Sequence, residues 1–311
     1  MSMNMSNMVL LAMKQTAKGT PAAPVPGTHA ILCRGLTPQP IKGKFVERNL
    51  IRGSKGNQGA LFTSEHRVFD FEVELAGSGA AGTAPKFAPL LLGCDMSETL
   101  TPTTSAVYQP HGVEGDYLTL FAYMDGVLFK MTDAKGSVSF SLNAEEIPVM
   151  KFNYIGKYHP VEDVVFPTGI AFTGFQQPLT VGDSNTQTFT IAGLDLVTKS
   201  FSIDLANQLS WRNWINDAGV RNPDRKPTAS AMFEMTKVAT KNWAGDVLAG
   251  TLMPLEIVHG VTPGNIVTIE APKLQFNQEP SLNDDDKTAM LSANFAVMPD
   301  AGNDELVLTF T

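Results

Sequence analysis

The sequence predicts a mainly β protein made of two tandem domains of β-sandwich or barrel type, each with a short flanking helix. Apolar and polar residues alternate with a period of two over most of the chain after about residue 30, as in strands with one buried face. Turn-forming pairs such as Asp125-Gly126 separate these runs. The order of the runs in the first half recurs in the second half, which indicates a duplication.

The clearest strand lies at residues 67–75. One parity of this run is apolar, and the other carries Asp70, Glu72 and Glu74. We therefore expect a strand whose one face packs on a core while its other face is acidic and solvated.

Hairpins are predicted next along the chain. Residues 117–124 and 127–131 flank Asp125-Gly126, and both positions of such a turn favour positive φ, which predicts a two-residue hairpin. A second turn is predicted at Lys135-Gly136. Further strands are predicted at residues 137–142 and 150–154.

Helices have little room in this pattern, and only residues 85–92 and 242–249 fit short ones.

Residues 1–28 are rich in Ser, Thr, Gly and Pro, which predicts an extended N-terminal arm that does not pack as a helix or strand. Within the arm an apolar run is suited to docking on a neighbour. Its residues are Val9, Leu10 and Leu11.

The two halves match element by element at offsets of 156 to 160 residues, drifting to 136–140 near the end of each half. The matched runs are 45–50 with 201–205, 73–75 with 233–235, 91–93 with 247–250, 138–142 with 274–276, and 150–154 with 290–294. We expect a first domain at residues 29–165 and a second, duplicated domain at 166–311. Identity between the halves is low, so chance alignment of alternating strands is the alternative.

Composition bounds the function classes. The chain has 311 residues, 43% of them hydrophobic, and a net charge of −8. It can bury real cores, and its acidity disfavours tight non-specific binding to nucleic acid. Cys33 and Cys94 are too few for a disulfide scaffold or a four-cysteine zinc site; two free buried thiols are favoured over one bridge. The longest apolar run near the start has six residues, so we expect no membrane span and a soluble protein made in the cytoplasm.

No residue pattern supports a reaction. Gly77, Gly79 and Gly82 form a GxGxxG motif, but the strand before it alternates with acids, and Pro85 and Pro89 shorten any helix after it. A flexible loop explains it better than a dinucleotide site. The five histidines lack metal-ligand spacing, and there is no nucleophile elbow. We expect no catalytic residue, no metal and no cofactor.

Six stretches carry a resemblance over nearly the whole chain: 15–21, 45–52, 66–79, 82–92, 264–273 and 302–310. In these stretches the sequence resembles the major tail tube proteins of bacteriophages with long, flexible, non-contractile tails. The resemblance implies a structural virion protein that self-assembles into stacked rings, forming the hollow tail tube through which DNA is ejected. Six domains line the lumen in such rings, so two domains per chain imply trimers with pseudo-sixfold symmetry. A hexamer of larger single-domain subunits is the fallback.

The resemblance also implies partners and a location. Besides copies of itself, the protein would contact a tape-measure protein, a tail terminator and distal tail or baseplate proteins. DNA would pass through the lumen without specific binding, and no membrane is involved. Assembly would take place in the host cytoplasm, and the final location would be the phage tail.

Two long loops, at residues 51–65 and 211–224, are the candidate contacts between rings or subunits, because Trp and Arg are typical interface anchors. The alternative is that each loop folds on its own domain. With the arm, the interface candidates are Val9, Leu10, Leu11, Arg52, Lys55, Asn57, Leu61, Phe62, Trp211, Arg212, Trp214, Ile215 and Arg221. Asp70, Glu72 and Glu74 are the lumen-lining candidates, since an acidic lining repels phosphate; the solvated outer face of a sheet would carry the same pattern.

Two other functions remain open. A duplicated β-sandwich that binds carbohydrate or a receptor at a virion or cell surface would use exposed aromatics, of which Trp211, Trp214 and Trp243 are the candidates. A tube protein polymerises with concentration, whereas a lectin does not. A dinucleotide enzyme rests on Gly77–Gly82 alone.

Overall fold

The computed structural model describes Asn4 and residues 7–311, so residues 1–3, 5 and 6 of the expected arm lie outside the described residues. Within the described part the protein is mainly β, with three short helices. The mainly β fold class predicted from the sequence is confirmed.

The strands of the first half are β1 (Met8–Lys14), β2 (Ala30–Ile31), β3 (Arg34–Pro38), β4 (Lys42–Glu47), β5 (Ala60–Glu74), β6 (Met96–Thr101), β7 (Ser105–Pro110), β8 (Leu118–Met124), β9 (Val127–Asn143), β10 (Val149–Tyr158) and β11 (Glu162–Asp163). Those of the second half are β12 (Thr186–Ile191), β13 (Leu194–Asp195), β14 (Thr198–Asp204), β15 (Ser210–Trp214), β16 (Asp217–Arg221), β17 (Thr228–Glu234), β18 (Met253–His259), β19 (Val267–Phe276), β20 (Ser281–Asp285), β21 (Thr288–Met298) and β22 (Val307–Phe310). The helices are α1 (Pro26–His29), α2 (Ala88–Leu92) and α3 (Trp243–Ala249).

One antiparallel sheet runs through both halves of the chain. Its strands lie in the order β3–β5–β10–β9–β14–β17–β21–β20. The join between the halves is the pair β9–β14, where Leu142 lies opposite Phe201 and Phe140 opposite Ile203. We call β3, β5, β10 and the C-terminal part of β9 the first strand set, and β14, β17, β21 and β20 the second strand set.

The remaining strands build the opposite layer. One part has the order β2–β1–β8–β9, and the other has the order β6–β7–β22–β19–β18–β12–β13. The pair β7–β22 joins the halves a second time, with Tyr108 opposite Leu308. The core lies between the layers, and side chains such as Phe71, Phe140 and Phe295 are buried in it. Burying each of them stabilises the fold by about 1.5–3 kcal/mol.

The two expected turns had different outcomes. The Asp125-Gly126 hairpin is confirmed, with positive φ at both residues. The turn predicted at Lys135-Gly136 is wrong, because both residues continue β9. A Cβ on Gly136 would lie 2.7 Å from the ring of Tyr154, so this glycine permits a close approach between strands rather than a turn.

Helices α2 and α3 lie within the two stretches predicted to be helical, one in each half. Asn242 caps α3 by accepting a hydrogen bond from the Gly245 amide, and Gly250 ends it in the left-handed region. The four-residue α1 was not expected. No helix among the described residues combines the length and the apolar character needed to cross a membrane.

Part of the expected arm is a strand. Residues of β1 pair with β8 along its full length and with β2, and Val9, Leu10 and Leu11 are buried there. The edge of β8 supplies backbone partners and the core covers the apolar run, which offsets the low strand propensity of the flanking residues.

Candidate assembly surfaces

The surface of the continuous sheet that points away from the core is polar, and we call it the polar face. Cross-strand partners share a face, and one row of partners runs Glu72, Lys151, Ser139 and Asp204. Serines supply most of the remaining positions in the centre of the sheet. They are Ser137, Ser141, Ser202, Ser230 and Ser292.

The three acids predicted for one face of β5 lie on the polar face. Asp70 accepts a hydrogen bond from Asn153 Nδ2 at 2.5 Å, and Glu72 lies 3.0 Å from Arg34 Nε and 3.7 Å from Lys151 Nζ. Glu74 is half-buried at the end of β5. Asp204 and Glu234 bring the carboxylates to five, against the cations Arg34 and Lys151. Lys199 adds no excess charge, because it pairs with Asp285 of β20 at 2.7 Å. The polar face is therefore acidic.

The first hairpin consists of β4 and residues 60–66 of β5, and it extends into solvent. Phe45 lies opposite Phe62, with ring centroids 5.0 Å apart, and Val46 lies opposite Leu61. Phe45 is 72% exposed and Phe62 39%. Contiguous exposed apolar side chains on a hairpin of this kind mark an interaction surface.

The tip of the first hairpin joins its two strands through residues 48–59. Arg52 donates to the backbone oxygen of Asn57 at 3.0 Å, and the Asn57 side chain accepts from the Gly59 amide. Lys55 and the fully exposed Ile51 also lie in this tip.

The second hairpin consists of β15 and β16. Trp211 lies opposite Val220 and stacks on His66 of β5 with centroids 5.6 Å apart, while Val220 is fully buried. At its tip, Trp214 and Ile215 are exposed, and the Arg212 guanidinium lies 4.6 Å from the centre of the Trp214 ring.

Ion pairs hold the second hairpin against the first half. Arg221 lies 2.8 Å from Asp217 and 3.9 Å from Glu114, and Lys18 lies 3.3 Å from Asp217. Hydrogen bonds from Arg221 and then Lys18 lower the pKa of Asp217. Because these groups are exposed, each pair adds little to stability.

A cleft of about 1000 Å³ opens at the base of the second hairpin. Arg225 crosses its wall and donates to Glu305, to the His111 backbone oxygen at 2.8 Å and to Asn303 Oδ1 at 2.7 Å. Glu305 is buried, and its Oε2 atom has no hydrogen-bond partner among the described residues. Thr228 also lines the cleft.

A buried charge cluster lies at the edge of the cleft. Asp95 accepts from Lys135 Nζ at 2.5 Å, from the Gly115 amide at 2.9 Å and from Asn222 Nδ2 at 2.7 Å. The Lys135 side chain has no exposed surface. The cluster therefore ties β9 and the turn that follows α2 to the segment after the second hairpin.

The predicted site residues fall into five places. Val9, Leu10 and Leu11 have their side chains inside the chain's own core. The others lie in the tip of the first hairpin (Arg52, Lys55, Asn57), in its strand (Leu61, Phe62), in the second hairpin (Trp211, Arg212, Trp214, Ile215, Arg221), and on the polar face (Asp70, Glu72, Glu74).

Sequence reasoning missed several residues that the structure adds to these surfaces. Phe45 and Val46 were left out because the loop was expected to start at residue 51, whereas β4 and β5 pair up to Glu47 and Ala60. The apolar pair Phe45-Val46 before a glycine-rich loop was the available signal. No signal in the sequence pointed to the pair of Arg225 and Glu305, because the two residues lie 80 positions apart.

Other features of the sequence have structural explanations. The backbone of Gly79 donates to the Gly264 oxygen, and Gly77 donates to Asn265 Oδ1, so the GxGxxG segment is packed rather than flexible. Cys33 and Cys94 are free. Burial raises the pKa of the Cys33 thiol to about 12 and that of Cys94 well above its usual range. No group of three or more His, Cys, Asp or Glu among the described residues could hold a metal ion.

Comparison with models of known protein families gives a match. The family model described as phage tail tube protein matches residues 5–298, which is nearly the whole chain. No curated protein matches the sequence.

Proposed function

Because the chain belongs to the phage tail tube protein family, we propose that it assembles with itself into stacked rings that form a hollow tube for DNA ejection. Membership makes it a structural protein of the virion tail, and the family favours a non-catalytic role. The tube would contact a tape-measure protein, a terminator and distal tail proteins, and it would be assembled in the host cytoplasm.

The observation that carries the proposal is the repeated strand order within one continuous sheet. The first strand set and the second strand set have the same antiparallel arrangement, and the pair β9–β14 joins them. We propose that the sets belong to duplicated domains at residues 29–165 and 166–311. In this arrangement β3 pairs with β5 as β14 pairs with β17. The counterpart of β14 is therefore β3, rather than residues 45–50.

The same join can close a ring. Within the described residues β3 pairs only with β5, and β20 pairs only with β21. Such open edges pair readily with another chain. We propose that β20 of one copy meets β3 of the next, as β9 meets β14 inside the chain. Three chains would supply six strand sets and a trimer with pseudo-sixfold symmetry, and six chains per ring is the competing arrangement.

The polar face would then line the lumen. Its serines present small hydroxyl groups, and its carboxylates outnumber Arg34 and Lys151. Such a surface repels phosphates and offers DNA no row of cations to bind, so DNA would pass without specific binding.

The hairpin tips would join one ring to the next. Since β3 and β14 run in the same direction in the sheet, both hairpins leave the sheet at the same end. We propose that Arg52, Lys55 and Asn57, with Trp214 and Ile215, reach the neighbouring ring.

The test is assembly of the purified protein over a concentration series, followed by sedimentation velocity and electron microscopy. We expect rings of three 33.5 kDa chains that stack into hollow tubes as concentration rises. A variant with Trp214→Ser and Ile215→Ser should form rings that stack poorly. A protein that stays monomeric at every concentration, including with preformed tail ends as initiators, would contradict the proposal.

A further inference from the structure

The two hairpins occupy equivalent positions but differ in what covers them. From this difference we infer that the base of the first hairpin packs into the cleft of the neighbouring copy in the same ring, with Phe45 against Arg225. This inference rests on the proposed ring, and it names the contact that orders one copy against the next.

The equivalence follows from the backbone ladders. The first hairpin starts at the pair Lys42–His66, and the second starts at the isolated bridge Asn207–Arg225. In the first hairpin the next two pairs are Lys44–Thr63 and Phe45–Phe62. In the second hairpin they are Ser210–Arg221 and Trp211–Val220. Phe45 therefore takes the place of Trp211, and Arg225 takes the place of His66.

The second hairpin shows what its position requires. Trp211 stacks on His66, Val220 is fully buried, and Asn207 donates to the backbone oxygens of Cys94 and Gly136. All of these partners belong to the first half of the chain. The second hairpin thus lies over the strand set that precedes its own in the sheet.

Among the described residues, no strand set precedes that of the first hairpin, because β3 pairs with β5 alone. The hairpin's aromatic pair Phe45–Phe62 is exposed, whereas in the equivalent pair Val220 is fully buried and Trp211 is half-buried. In a closed ring, the preceding set would be the second strand set of the neighbouring copy. A second copy of this chain is therefore the occupant that the repeat itself indicates.

The cleft lies at the required position on that neighbouring copy. It is bounded by the start of β17 at Thr228, by the end of β21 at Ala296 and Val297, and by one flank of the second hairpin. Its volume of about 1000 Å³ accommodates several large side chains. Arg225 is fixed there by Glu305, Asn303 and the His111 backbone, and a guanidinium plane is a favourable surface for an aromatic ring.

Charge supports the same occupant. Lys42 and Lys44 precede Phe45 on β4, and neither forms an ion pair among the described residues. In the cleft, the buried Glu305 has one carboxylate oxygen without a donor. A lysine arriving with the hairpin would provide that donor, and a charge-assisted bond of this kind is stronger than a neutral one.

Disulfide cross-linking tests the contact directly. A Phe45→Cys, Thr228→Cys double variant should give covalently closed trimers on mild oxidation of assembled rings. A Phe45→Cys, Leu248→Cys variant is the matched control, because Leu248 is exposed on α3 and outside the cleft. Phe45→Cys alone controls for reaction with the native cysteines.

A second variant measures the energetic role. Because Phe45 and Phe62 are exposed in the single chain, Phe45→Ser with Phe62→Ser should leave the thermal unfolding of the monomer unchanged. Association of the chains into rings should weaken by about tenfold or more, because the apolar surface of the two phenylalanine side chains is no longer buried at the contact. Ile51→Ser at the hairpin tip is the control and should leave ring association as in the wild type.

The outcomes separate this inference from the proposed function. If the wild-type protein forms rings, but the double-cysteine variant gives no cross-link and the serine variant associates as tightly as the wild type, the inference is overturned and the ring proposal stays intact. Cross-links that join one ring to the next, giving open ladders instead of closed trimers, would also overturn it. A wild-type protein that forms no rings under any condition would overturn the ring proposal itself.

Discussion

The ion pair between Asp95 and Lys135 offers the sharpest test of the buried charge cluster at the edge of the cleft. Asp95→Ala removes the carboxylate paired with a lysine whose side chain is wholly buried, so that Lys135 keeps only the Gly115 backbone oxygen at 3.2 Å as an acceptor among the described residues. It also leaves the Gly115 amide and Asn222 without their acceptor. Breaking a buried pair from one side costs about 3–5 kcal/mol because a charge stays buried without a partner. We therefore expect Asp95→Ala to lower the free energy of unfolding by about that amount.

The assay is urea unfolding of the monomer at a concentration below assembly, followed by tryptophan fluorescence. Asp95→Leu combined with Lys135→Met should recover most of the loss, since apolar residues of similar size can replace a buried pair with little cost. Asp116→Ala is the matched control: Asp116 pairs with Lys14 at 2.7 Å at the surface, so its loss should cost less than about 1 kcal/mol.

The reasoning would be refuted if Asp95→Ala lowered the free energy of unfolding by less than about 1 kcal/mol and the double variant were no more stable than the single one. That result would mean that Lys135 reaches water in the folded protein, and the geometry of the cluster at the edge of the cleft would be wrong.

Three further predictions concern the lumen, pH and backbone protection. In assembled tails, Glu72→Lys with Glu74→Lys should slow DNA ejection in single-particle ejection assays; an unchanged rate would contradict the lumen assignment of the polar face. Burial lowers the pKa of His259, so the unfolded state takes up the proton first as the pH falls, and stability should drop below about pH 6.5. His259→Gln should flatten that pH dependence in thermal unfolding, and a slope as steep as the wild type's would contradict it. Hydrogen exchange of the monomer should be fast at 48–59 and slow in β1; fast exchange in both would mean that β1 is not part of the folded sheet.

Local patterns in the sequence predicted the elements whose structure depends on neighbouring residues. The parity of residues 67–75 placed Asp70, Glu72 and Glu74 on one face, because side-chain direction alternates along any strand. The Asp125-Gly126 turn followed from the φ preferences of its two residues. Both features are set within a few residues of chain.

Features that depend on distant partners were not predictable in this way. Gly136 resembled a turn residue, whereas its role is to lie against the Tyr154 ring of the adjacent strand. The apolar run in β1 was expected to dock on a neighbour, but the chain's own β8 was available to pair with it. The pair of Asp95 and Lys135 depends on the register of β9, which no local spacing encodes.

The most direct test of the central claim is an electron cryomicroscopy reconstruction of the assembled tube. The claim is that one chain supplies two equivalent strand sets to a sheet that closes around the lumen. The expected result is three copies per ring, with β20 of each copy beside β3 of the next and the acidic polar face turned inward. Six copies per ring, or a polar face turned to the outside, would contradict it.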